Sequence, residues 1–128
     1  MTQTTIPKWQ IVIGWVLSGI LALLFLPSAY FKIAQPAGFL EGWTKSLPAA
    51  AARPLGIIEL TMFVLYLVPK TRYVGGLIML AYLGGAVATH LHNEDGKFPL
   101  PIAVGIVAWL GLYLRDRKLR ALVPIVRE

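Results

Sequence analysis

The sequence predicts an all-α fold, a four-transmembrane-helix bundle with both termini cytoplasmic, and three observations predict it. Of the 128 residues, 57% are hydrophobic and only 14% charged, whereas soluble domains carry about 25% charged residues. Four apolar segments approach the length of a membrane crossing, and the twelve basic residues divide unevenly between their two ends. A soluble chain of this length has too little interior to bury so much apolar surface. The absence of cysteine excludes a disulfide scaffold, thiol chemistry and thiolate-held zinc or iron–sulfur centres. Aromatic residues set within the apolar runs exclude disorder.

A bilayer core about 30 Å thick needs roughly 20 helical residues to cross it, with every backbone polar group paired internally. The first span covers residues 11–33, between Lys8-Trp9 and Gln35-Pro36. Its length and the uncharged start Met1-Thr-Gln-Thr-Thr argue against a cleaved signal peptide. The second covers residues 49–68, because the run Ala49–Ala52 lengthens a segment that is otherwise short, and Pro69-Lys70 ends it. The third covers residues 73–91. The fourth covers residues 99–114, opening on Pro99, which suits a first helical turn. It is short, and a snorkelling Arg115 or local bilayer thinning is expected to complete it. Together the spans form a single membrane domain, followed by a basic amphipathic tail, residues 115–128.

An even number of crossings places both termini on one side. That side holds Lys8, Lys70, Arg72, Arg115, Arg117, Lys118, Arg120 and Arg127, and the other holds Lys32, Lys45, Arg53 and Lys97 together with Glu41, Glu94 and Asp95. The positive-inside rule then makes the termini cytoplasmic. The net charge of +6 is mostly a topology signal, and with no folded basic domain to present it, nucleic acid is not an expected partner.

Between Pro36 and Pro48, residues Phe39, Leu40, Trp43 and Leu47 recur at helical spacing, which predicts a short helix in the outer interface or an irregular loop with an interfacial tryptophan. In the tail, Leu119, Leu122, Val123 and Val126 share a face, so the tail is expected to lie along the anionic inner leaflet, with Pro124 limiting its helix. Gly14 and Ser18, and likewise Ala81, Gly85 and Thr89, are small residues four apart and predict helix contact stripes. Pro27 is expected to kink the first span and turn Ser28 and Lys32 inward.

A charged side chain inside a span costs at least about 2.5–3.5 kcal/mol, which makes it a functional candidate. The topology brings several together: Lys32 at the outer end of span one, Glu59 within span two, and His90 and His92 at the outer end of span three. Ser28 lies one turn from Lys32, Tyr82 shares the His90 stripe, and Tyr66 lies on roughly the Glu59 face. The expected ligand-binding set is therefore Lys32, Glu59, His90, Ser28, Tyr82 and Tyr66, with Glu59 and His90 the candidates for proton handling. The duller readings are a structural Lys32–Glu59 pair, a snorkelling Lys32 and interfacial histidines. Two histidines at i and i+2 do not share a helix face, so no metal site is expected.

The segments Leu55-Gly-Ile-Ile-Glu-Leu, Val68-Pro-Lys-Thr-Arg, Ala81-Tyr-Leu-Gly-Gly-Ala-Val-Ala-Thr-His-Leu and Ala108-Trp-Leu-Gly-Leu-Tyr-Leu-Arg together resemble the DoxX-like family, over roughly Gly14 to Pro124. The resemblance implies a small four-helix protein of the bacterial inner membrane. The family's recurring polar positions correspond here to Lys32, Glu59 and His90. It also implies a link to quinone-coupled thiosulfate oxidation or to oxidative-stress complexes.

Three functional readings follow. The chain is an accessory or anchoring subunit of a larger, redox-linked inner-membrane assembly or a homo-oligomer; or a stand-alone enzyme or binder of a quinone or another lipophilic molecule; or a purely structural bundle. The first two predict a cavity in the outer half, and the third predicts closed packing around Glu59.

Overall fold

The computed structural model describes residues 5–123, and every regular element among them is a helix. Helix α1 spans Lys8–Ala34, α2 Phe39–Trp43, α3 Ala52–Leu67, α4 Arg72–Asn93, α5 Pro99–Arg115 and α6 Arg117–Leu122. A single 3-10 turn, Ala49–Ala51, leads into α3, so the second apolar stretch runs for 19 residues from Ala49 to Leu67. Among the described residues, Lys8–Ala34, Ala49–Leu67 and Arg72–Asn93 are long and apolar enough to cross a membrane, and Pro99–Arg115 is apolar but shorter.

Local chemistry sets the helix ends. Gln35 takes a left-handed conformation, and Pro36 behind it has no N–H with which to continue α1. The helix runs unbroken through Pro27. The Thr71 hydroxyl donates to the Leu65 carbonyl at 2.9 Å, satisfying an end of α3 while the chain reverses into α4. Glu94 and Gly96, both at positive φ, make the turn from α4 to α5.

The four long helices form a ring in which α1 and α4 each pack against α3 and α5. Packing depends on close approach over small residues, because lipid tails give helices no hydrophobic reason to associate. Gly14 of α1 faces Gly111 of α5, and a Cβ on Gly14 would stand 2.9 Å from the Gly111 carbonyl oxygen. Gly56 of α3 admits α1, since its Cβ would stand 2.8 Å from Lys32 Cβ. Gly75 at the start of α4 lies against the end of α3, where a Cβ would stand 2.2 Å from Tyr66 N. Each contact joins the end of one helix to the beginning of another, so the chain runs up, down, up and down. The core within the ring includes Leu21, Phe25, Met62, Phe63, Met79, Leu83 and Leu112.

Three expectations need correction. The stripe Ala81, Gly85 and Thr89 is not a helix contact: a Cβ on Gly85 would meet nothing within 4 Å, and all three residues line a cavity instead. Arg115 does not snorkel. Its guanidinium lies 4.2 Å over the Trp15 ring and 5.3 Å from the Tyr66 ring, an attraction that holds the cation against the bundle.

The beginning of the tail also does not keep its whole apolar face free for the leaflet. The Asp116 carboxylate, 1% exposed, accepts from Leu119 N at 2.7 Å and from the Tyr73 hydroxyl at 2.8 Å. It also pairs with Arg72 Nε at 2.5 Å. These bonds fold α6 back so that Leu119 joins the core, while Leu122 and Val123 stay exposed. Pro124, Val126 and Arg127 lie outside the described residues.

Candidate functional site

Three helices bring polar groups to one point at the end of the bundle away from α6. Ser28 and Lys32 lie one turn apart on the inward face of α1, Glu59 belongs to the buried stripe of α3, and Tyr82 projects from α4. The Glu59 carboxylate is 3% exposed and receives three donors. Tyr82 donates to Oε1 at 2.8 Å, Lys32 Nζ pairs with Oε1 at 3.0 Å, and the Ser28 hydroxyl lies 3.0 Å from both oxygens. Lys32 Nζ also donates to Ser28 Oγ at 2.5 Å and stands 5.7 Å from the centre of the Trp43 ring. A carboxylate offers about four lone-pair sites, so the network leaves the buried charge well compensated. The structure brings Lys32 and Glu59 together despite their different depths along the helices, because Gly56 lets α1 and α3 approach beside Lys32.

The network forms part of the wall of a cavity of about 880 Å³. The cavity exists because the small residues of α4, Ala81, Gly85 and Ala86, face α1 across the ring without filling the space between them. Phe39 and Trp43 of α2, stacked with ring centres 5.7 Å apart, form another part of its wall. The Trp43 indole N–H donates to the Pro48 carbonyl at 2.9 Å, which anchors the segment. The short helix expected in the outer interface is thus a wall of the cavity. Its aromatic spacing was the available signal, but nothing in the sequence showed which way that face turns.

His90 also lines the cavity but does not join the Glu59 network. Its Nδ1 lies 2.7 Å from Asp95 Oδ2. Asp95 Oδ1 accepts from the Lys97 amide at 2.9 Å, and the hydrogen bond from His90, then that from Lys97, holds the Asp95 carboxyl below its ordinary range. His92, two residues on, is exposed and stands outside the cavity wall.

Tyr66 does not fit the set expected from the sequence. It is fully buried at the other end of the bundle, where its hydroxyl donates to the Ala108 carbonyl at 2.7 Å. Tyr66 shares a face of α3 with Glu59, but a separation of seven residues, about 10 Å of helix, carries it to the opposite end. Asn93, one turn beyond His90, was missed and lines the cavity.

Fold and site together define a membrane helix bundle with a pocket between its helices, apolar along most of its wall and carrying a buried ion pair. The chain belongs to the DoxX-like family, whose model matches residues 16–111. Comparison with curated proteins and with solved structures returned no match.

Proposed function

We propose that this protein binds a quinone or a similarly lipophilic small molecule within the bilayer, in the pocket bounded by Glu59, Lys32, Ser28, Tyr82 and His90. The observation that carries the reading is the cavity of about 880 Å³ beside a buried Glu59 that takes donors from Ser28, Lys32 and Tyr82. Its size falls within the range of about 300–1,000 Å³ typical of ligand sites. A purely structural bundle requires closed packing around that carboxylate, and the open space counts against it. As an accessory or anchoring subunit of a redox-linked assembly, the protein would hold this molecule for a partner. Glu59 and His90 are the groups positioned to handle a proton.

In the same reading the bundle crosses the bacterial inner membrane four times with both termini cytoplasmic. The division of basic residues supports this, as does the up-down-up-down order of the helix contacts. Helix α5 has 17 residues, about 26 Å of helix, and local thinning of the bilayer accommodates it.

A short-chain quinone such as decylubiquinone should quench tryptophan fluorescence of the detergent-solubilised protein saturably, and Trp43→Phe should remove the saturable part. Quenching that rises linearly without saturation, as partition into the micelle produces, would contradict the reading. For topology, a cysteine introduced at Lys97 should react with an impermeant maleimide on intact cells or spheroplasts; labelling only after lysis would reverse the orientation.

A further inference from the structure

We infer that the pocket prefers a lipophilic molecule bearing a hydroxyl, a phenol or an alcohol (of a quinone couple, the quinol over the quinone), and that His90 and Asn93 hold that hydroxyl at one end of the cavity. The inference rests on the pocket reading above and adds the chemistry of the ligand's head group.

The Glu59 network has little left to offer a ligand. Its carboxylate takes donors from Ser28, Lys32 and Tyr82, and Lys32 is divided between Ser28 and Glu59. Eleven residues beyond Tyr82 on α4, about three helical turns, the situation is different. Asn93 Nδ2 is a buried amide donor with no hydrogen-bond partner among the described residues, and of the buried side-chain atoms left in that state only this one belongs to the cavity wall. Such a group is desolvated without compensation until something accepts from it.

His90 lies three residues before Asn93, on the same face of α4. Asp95, an acceptor when ionised, accepts a hydrogen bond from His90 Nδ1–H at 2.7 Å. In the neutral ring this fixes the tautomer and leaves Nε2 as an acceptor. The wall therefore presents one acceptor and one unused donor a turn apart. A hydroxyl answers both, since it donates one proton and accepts through its oxygen, whereas a ketone or an ether can only accept. The apolar body of the molecule then lies among Leu24, Phe25, Leu55, Leu83 and Val104.

The test compares 4-decylphenol with its methyl ether, a redox-inert pair, by equilibrium binding to the full-length protein in nanodiscs. Ala86→Trp, which places a large ring in the cavity wall, sets the background for partition into lipid. The wild type should bind the phenol above that background and the ether about tenfold more weakly, the equivalent of one lost hydrogen bond. His90→Phe should weaken phenol binding about tenfold while leaving the ether within twofold, because only the hydroxyl donates to His90, and Asn93→Leu should weaken both probes, because the oxygen of each accepts from Nδ2. Equal affinity of the wild type for phenol and ether overturns the inference and leaves the pocket reading standing, even if a variant fails to fold. So does a His90→Phe variant that weakens both probes alike, or a folded Asn93→Leu variant that weakens neither. Binding of neither probe above background overturns both.

Discussion

Replacement of Gly75 by alanine should destabilise the folded protein by about 3 kcal/mol or more, at the upper end of the cost of overpacking. The added Cβ would stand 2.2 Å from Tyr66 N and 2.6 Å from both Leu65 C and Tyr66 Cα. All three are backbone atoms, so no side-chain rotation relieves the overlap and α4 must move away from α3. That movement would open the buried contact between Tyr66 and α5. Gly84→Ala provides the control. Its Cβ meets nothing within 4 Å, and alanine is the better helix former by about 1 kcal/mol. Thermal unfolding in detergent should show a large fall in midpoint for Gly75→Ala and none for Gly84→Ala; similar midpoints for the two would show that α3 and α4 do not meet at Gly75.

Glu59→Leu should cost a comparable amount, about 3–5 kcal/mol, because it leaves a largely buried ammonium without its counter-charge. The Lys32 side chain is 13% exposed, too little for water to replace the carboxylate. Tyr82 and Ser28 lose their acceptor at the same time. Glu59→Gln should cost less, since its amide oxygen still accepts from Tyr82. The double variant Lys32→Met with Glu59→Leu should recover most of the loss, because removing both charges removes the unpaired one. Denaturant unfolding of the four proteins closes the cycle, and additive losses for the two single variants would show that Lys32 and Glu59 are not coupled.

Much of this was legible in the sequence, for definite reasons. The apolar lengths set by bilayer thickness located the long helices, and Ser28, Lys32, Glu59 and Tyr82 were identifiable because charge inside an apolar run is expensive enough to demand partners. The Asp116 network was not legible. An acid amid Arg115, Arg117 and Lys118 reads as part of a solvated tail, and its partners Arg72 and Tyr73 lie more than forty residues away. The Asp-x-x-Leu spacing that lets Asp116 cap α6 was the available local signal. Glycine carried information that depended on position: Gly75 permits backbone contact, while Gly85 leaves open space, and only the packing separates them. A cavity in the outer half was expected from two of the three functional readings, but its walls were not legible for a related reason, being a property of how α1 and α4 stand across the ring and not of any motif.

The central claim, that the pocket between α1 and α4 holds a lipophilic molecule, is tested most directly by native mass spectrometry of the gently extracted protein beside its Ala86→Trp variant. The account predicts that the wild type carries a defined small-molecule adduct and that the folded variant, with the same lipid-facing surface, has lost it. Identical adducts on both proteins, or none on the wild type, would contradict it.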